Sequence, residues 1–218
     1  FLRPTSRDYT DAYKLGASTP LEIAERTLGC IEDSETGKDR LSAFIEVRKD
    51  DIIEQAKASS ARYAAGQPIG PLDGVPIPIK DEFDVQGYRT RVGTSFKGNR
   101  PASEDSVVAR RLREQGAILF GKTHMTELGL GGVGTNPNHR APRNPHDPER
   151  ITGGSSSGSA AAVAAGIAPL ALGSDAGGSI RMPAALCGVY GMKPTYGKIP
   201  TTGGSLLSWS LDHLGPLG

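Results

Sequence analysis

The sequence predicts an α/β fold: a mixed, twisted sheet covered by helices on both faces. Three observations point there. An amphipathic helical pattern over residues 103–115 runs straight into the apolar stretch 117–121. A Pro-punctuated apolar run, 75–79, stands alone between turn signals and ends at Lys80. An Ala-rich segment, 159–165, is followed by the short apolar run 170–172. Helices that alternate with short apolar strands are the mark of layered α/β architecture.

In chain order, Thr19 and Glu22 spell a capping box around Pro20, which fits the first helical position. Leu21, Ala24, Leu28 and Ile31 then follow a helical period. Residues 41–47 read as a short strand. Residues 50–65 read as a second helix, with Ile52, Ile53 and Ala56 on one face and Gly66 as its stop. The third helix, 103–115, opens on Glu104 and Asp105 and carries Val107, Val108 and Leu112 before Gly116. Residues 129–158 lack periodicity and are rich in Gly, Pro, Asn and Ser; a stretch this long without structure is uncommon unless it is functional. Beyond the Ala-rich helix come a Gly/Ser turn over 173–181, a short helix near 183–186 and a strand near 189–192.

The 218 residues are enough for one sizeable core, and their 37% hydrophobic and 22% charged content is ordinary for a globular chain. A net charge of +1 offers no electrostatic case for nucleic acid or a membrane surface. No apolar run approaches the ~18 residues of a membrane span. The opening FLRPTSRDYT is no signal peptide and starts at Phe1 rather than an initiator Met. Cytoplasm is the default location. Cys30 and Cys187 are expected to be buried, reduced thiols.

Two familiar motifs mislead. Gly129, Gly131 and Gly134 spell G-x-G-x-x-G, but Asn136, Pro137 and Asn138 follow, so no helix opens where a dinucleotide site needs one. Gly154, Ser156 and Gly158 spell G-x-S-x-G, yet no apolar strand precedes them and a single His, His213, lies downstream. His124, His139, His146 and His213 have no metal-ligand spacing, and no metal site is expected. His139 and His146 read as solvated loop residues.

The informative stretch is 153–194, where two Gly/Ser clusters bracket the Ala-rich helix and a strand. Gly177 and Gly178 before Ser179 allow close backbone approach to a ligand, and successive free N–H groups there could hold an anion. Acyl transfer needs such donors where its oxyanion develops. Gly/Ser-rich segments are also ordinary linkers. On composition both readings stand, although Asp175, Ile180 and Arg181 within apolar runs do not suit a linker. Lys80, likewise, reads equally as a snorkelling residue at a strand end.

Residues 153–156 (Gly-Gly-Ser-Ser), 173–184 (GSDAGGSIRMPA) and 187–195 (CGVYGMKPT) resemble the signature of the amidase signature family. Residues 71–81, 121–128, 143–145 and 210–216 resemble the family's other segments, so the likeness covers nearly the whole chain. It implies Ser179 as nucleophile, Ser155 as proton relay with a cis peptide bond before it, and Lys80 as base. The backbone N–H groups of Ala176, Gly177, Gly178 and Ser179 would form the oxyanion hole, and Ser156, Asp175 and Arg181 would flank the site. A serine nucleophile needs a base within hydrogen-bond reach. A Lys can be that base only when neutral, and burial among apolar groups such as Val75 to Ile79 disfavours an ammonium. The resemblance implies no cofactor and no metal. It implies a small-molecule amide as substrate, no direct nucleic-acid contact, and a homodimer as one admissible assembly. Family members are longer. The chain is therefore expected to be the N-terminal part of a single amidase domain, with helices in 1–69 packed on a catalytic core in 70–218 and the C-terminal half absent. The run 127–148 looks closer to fatty acid amide hydrolases of the plant type. The alternatives are a component of a glutaminyl-tRNA amidotransferase and a catalytically inactive truncated binding module.

Overall fold

The computed structural model describes residues 4–218; Phe1, read above as the unusual first residue, lies outside them. Helix α1 (Ser6–Lys14), absent from the sequence reading, begins with a capping box between Thr5 and Asp8. Helix α2 (Pro20–Ser34) begins as expected, with Thr19 and Glu22 exchanging hydrogen bonds across the first turn. Strand β1 (Phe44–Glu46) and helix α3 (Lys49–Ala64) follow, then β2 (Pro76–Lys80), α4 (Val107–Glu114) and β3 (Ile118–Thr123). A 3-10 turn spans Glu127–Gly129, and the last elements are α5 (Ser157–Ala164), β4 (Ala171–Asp175), α6 (Arg181–Cys187) and β5 (His213–Leu217).

The strands form one five-stranded sheet in the order β1-β3-β2-β4-β5. β2 runs parallel to β3 and to β4, while β1 and β5 are antiparallel edge partners of β3 and β4, so the sheet is mixed. Strand alternation sends side chains to opposite faces. Ile118 and Phe120 of β3 pack with α2 (Ala24, Leu28, Ile31), α3 (Ile52, Ala56) and α5 (Ala161, Ala162). Leu119, with Ile77 and Ile79 of β2 and Leu172 of β4, packs with Val108 and Ala109 of α4. Helices thus cover both faces. A further cluster joins α5 and α6 through Ala160, Ala164, Ala184 and Cys187.

Several expectations need correction. The helix expected over 103–115 is shorter, because the Ser106 hydroxyl accepts the Ala109 N–H and sets the start there. Asp105 instead accepts the Gln86 N–H (2.7 Å) and pairs with Arg113 (2.9 Å), tying the loop before the helix to its far end. Gly173 to Asp175 are not turn but the last three residues of β4. No strand forms over 189–192. Gly191 makes an isolated bridge to Leu217, and Tyr190 and Gly218 exchange two backbone hydrogen bonds. The antiparallel partner of β4 is β5, whose sequence HLGPL hides its character behind Gly and Pro. Cys30 is exposed; only Cys187 is buried, and both are free. His139 is half-buried rather than solvated. No helix among the described residues is long and apolar enough to cross a membrane.

Candidate active site

Parallel pairing brings the carboxyl ends of β2 and β4 side by side, with Ile79 opposite Leu172. Lys80 ends the central strand and is fully buried. Its Nζ lies 2.7 Å from the Ser155 hydroxyl, 2.7 Å from the Ser174 hydroxyl and 3.0 Å from Glu82 Oε2. Ser174 Oγ in turn donates to Glu82 Oε2. All four groups are buried, so their polar atoms depend on one another rather than on water.

Ser155 enters from the segment before α5. The Gly154–Ser155 peptide bond is cis, and the Ser155 carbonyl accepts the Thr126 N–H at 3.2 Å. Serines fix the following helix: Ser159 Oγ donates to the Leu172 carbonyl of β4, and Ser157 Oγ lies 2.8 Å from His124 Nδ1. The Ser156 hydroxyl donates to the Ser174 carbonyl (3.2 Å) and accepts the Ser174 N–H (3.3 Å). Ser156 N–H also donates to the Ser179 carbonyl at 3.2 Å, which holds the two Gly/Ser loops together. Among the described residues, no direct hydrogen bond joins the Ser155 and Ser179 hydroxyls.

Ser179 sits in the turn between β4 and α6, and that turn is organised by Asp175. The buried Asp175 carboxylate accepts the N–H groups of Gly178 (2.8 Å), Ile180 (3.2 Å) and Arg181 (3.3 Å). It also accepts the Arg181 guanidinium through Nε and Nη2 at 3.0 Å each. Burial pushes the Asp175 pKa up, but the Arg181 hydrogen bonds and the backbone donors outweigh it and hold the carboxyl below its usual range. Of the four N–H groups implied as oxyanion donors, Gly178's is spent on Asp175; those of Ala176, Gly177 and Ser179 make no hydrogen bond among the described residues. Gly178 has φ +125°, a backbone region closed to ordinary side chains.

The rejected motifs are explained by their surroundings. No helix follows Gly134, and the 3-10 turn precedes it. Gly158 serves close packing of α5 rather than a nucleophile elbow: a Cβ there would lie 2.5 Å from the His124 N. His213 meets backbone carbonyls, 2.6 Å from that of Leu211, and makes no bond to Ser156. Among the described residues, no group of three or more His, Cys, Asp or Glu is arranged to hold a metal ion.

Comparison with known proteins decides the family, since the family model described as Amidase matches residues 25–218. The chain belongs to the Amidase family. It is 46% identical over 212 residues to a fatty acid amide hydrolase of Arabidopsis thaliana, covering 97% of this chain and 35% of that protein. Over 204 residues it is also 46% identical to a glutamyl-tRNA(Gln) amidotransferase component of Symbiobacterium thermophilum, covering 93% of this chain and 41% of the relative. The solved peptide amidase of Stenotrophomonas maltophilia superposes with a TM-score of 0.93 at 32% identity, over 98% of this chain and 45% of the other. The chain therefore spans between a third and a half of the length of these relatives.

Within this amidase fold the sequence reading missed Glu82 and Ser174. A signal for Glu82 was present: residues two apart at a strand end tend to share a face, and Lys80 and Glu82 are two apart. The intervening Asp81 lies instead 3.4 Å from the buried Lys122 amine. Burial pulls the Lys122 pKa down against the pull of Asp81, and burial pushes that of Asp81 up.

Proposed function

We propose that the protein carrying this chain hydrolyses a carboxylic amide through an acyl-enzyme on Ser179, releasing ammonia or an amine. The observation that supports this best is the fully buried Lys80 amine 2.7 Å from the Ser155 hydroxyl. Ser179 Oγ attacks the carbonyl carbon and loses its proton to Ser155, while Ser155 passes its own proton to neutral Lys80. The free N–H groups of Ala176, Gly177 and Ser179 face the negative charge that develops on the carbonyl oxygen. As the C–N bond breaks, the proton returns from Lys80 through Ser155 to the leaving nitrogen. Water then cleaves the ester by the same route in reverse, giving the carboxylic acid and free Ser179.

The same reading makes residues 1–69 and 70–218 parts of one amidase domain, supported by the single core that α2 and α3 share with β3 and α5. A cytoplasmic setting is part of the proposal; the two free thiols suit a reducing compartment. So is a homodimer, for which the exposed Tyr190 and Trp209 offer apolar surface; sedimentation velocity of the complete protein tests it. Exposed Met182 packs beside Gly132 and Gly178, and Leu207 lies near Gly129 beside Ser155. An apolar rim beside the serines favours an acyl group with apolar character over the glutamine amide that an amidotransferase component would use.

The test is covalent. A fluorophosphonate probe should label the complete protein at one serine, and peptide mapping should place it within residues 173–181. Labelling within 153–159 would make Ser156 or Ser155 the nucleophile, and a folded complete protein that takes no label would favour an inactive binding module.

A further inference from the structure

Nothing in the relay described above uses Glu82, yet among the described residues its carboxylate is the one acidic group in contact with the Lys80 amine. Glu82 is buried, 3.0 Å from Lys80 Nζ, and hydrogen-bonded by the Ser174 hydroxyl that also touches Nζ. The three side chains close a triangle with Ser155 at its open corner. The next buried carboxyl whose charge reaches both groups is Asp212, on the segment leading into β5. Its Oδ2 is occupied by the N–H groups of Leu207 (2.6 Å) and Ser208 (2.9 Å). Asp81 is turned to Lys122, and Asp175 to Arg181. Glu82 is thus the group positioned to answer a change of charge on Lys80.

We propose that Glu82 is a positioning residue for Lys80, fixing its amine toward Ser155 and stabilising the ammonium that forms when the relay takes up the nucleophile's proton. This rests on the reading of Lys80 as base. When Ser179 attacks, one proton moves from Ser179 to Ser155 and one from Ser155 to Lys80, and no other bond changes on the Lys80 side. A positive charge then appears on a nitrogen sealed from water. A carboxylate 3.0 Å away offsets that charge most strongly where the dielectric is low. Serine proteases assign the equivalent task to a carboxylate behind an imidazole. Here the carboxylate comes from the residue two beyond the base, and Ser174 holds it in place.

A carboxylate favours the charged form of a neighbouring amine. Removing it takes away the charge that opposes the neutral, proton-accepting amine, so the rise of activity with pH should move toward acid, while the plateau drops because the ammonium formed in the reaction is no longer stabilised.

The experiment measures the rate of fluorophosphonate labelling against pH in the complete protein, for wild type, Glu82→Gln, Glu82→Asp and Lys80→Ala. Gln can still accept hydrogen bonds from Lys80 and Ser174, so a scaffolding role would survive in it. Glu82→Gln should label roughly 10- to 100-fold more slowly at the plateau, less than the roughly 10²–10⁴-fold loss of a group that itself transfers the proton, and its rise should begin at lower pH. Where an amide substrate is turned over, kcat should fall with KM unchanged. Wild-type rate and profile in Glu82→Gln would overturn the proposal, as would a slower rate with an unmoved rise. If Glu82→Gln fails to fold, Glu82→Asp decides: a slower plateau with a rise shifted toward acid supports the role, and behaviour identical to wild type overturns it. Lys80→Ala separates the two levels. If it labels at the wild-type rate, the relay itself is wrong. If it is slow while Glu82→Gln matches wild type, only the role of Glu82 falls.

Discussion

Asp175 grips Arg181 through two hydrogen bonds of 3.0 Å, and the turn that carries Ser179 is folded between them. The two partners are unequal. The Asp175 carboxylate is fully buried, whereas the Arg181 side chain is 54% exposed. Arg181→Ala leaves Asp175 with three backbone donors and should cost about 1 kcal/mol, in the range of an exposed charged pair. Asp175→Ala strands the N–H groups of Gly178, Ile180 and Arg181 and should cost about 3 kcal/mol. It should also slow labelling of Ser179, because the turn loses its anchor. Denaturant unfolding of the two variants checks the order; equal losses would mean that Asp175 does not organise the turn.

On the proposed relay Lys80 and Ser155, 2.7 Å apart, share one proton path, so their effects should not add. Lys80→Ala and Ser155→Ala should each reduce turnover of an anilide by about 10²–10⁴, the usual reach of acid–base assistance. The double variant should be little slower than either single one. Additive losses in a double-mutant cycle would place the two residues on separate paths.

Legibility differed by kind of signal. The start of α2 and the stop of α3 were readable because Thr19, Pro20, Glu22 and Gly66 act locally, through a cap and a left-handed stop. Helix α1 was missed although Thr5 and Asp8 form a capping box, since its apolar face is thin and its buried residues are Thr10 and Tyr13. β5 was missed because HLGPL lacks the β-branched run that marks a strand, and its place is set by pairing with β4. At the candidate site, the family resemblance assigns roles to Lys80, Ser155 and Ser179 directly. It assigns none to Ser174, although that residue lies within the motif, or to Glu82, because their meeting depends on β2 and β4 lying parallel side by side, a long-range fact that local pattern does not encode.

His124 gives a stability signal in mild acid. Burial pulls its pKa down to about 4, with the nearby His139 ring acting in the same direction. The unfolded imidazole titrates near 6.5. Above that pH both states hold His124 neutral and it exerts no pH effect. Between about 6.5 and 4 the unfolded state takes up a proton that the folded state refuses, so stability falls as pH drops through this window. The full loss is about 3 kcal/mol. His124→Gln, which keeps a polar partner for Ser157, should flatten the slope between pH 6.5 and 4.5, read as Tm against pH. An unchanged slope would assign the acid sensitivity to other groups.

Gly158 tests how closely α5 must sit on β3. Its N–H donates to the His124 carbonyl at 3.0 Å, and the His124 N–H donates to the Ala43 carbonyl at 2.9 Å, so three backbone segments converge on one point. A Cβ on Gly158 would collide with the Ala43 oxygen and stand 2.5 Å from the His124 N. Both obstacles are backbone of hydrogen-bonded segments and cannot swing aside as a side chain tip would. Overpacking a core usually costs about 1–3 kcal/mol, and here about 3 kcal/mol or more is expected, since relief requires moving a helix that is anchored by Ser157 and Ser159. The displacement would also carry Ser155 away from Lys80, because only two residues separate Ser155 from Gly158. Gly158→Ala should therefore lose both stability and probe labelling. Gly29→Ala is the matched control: Gly29 lies inside α2 with nothing within 4 Å of its would-be Cβ, and replacing it should stabilise the protein by about 0.5–1 kcal/mol with labelling unchanged. Equal behaviour of the two variants in thermal unfolding would show that α5 can shift without cost, and the close approach would then have no part in setting the site.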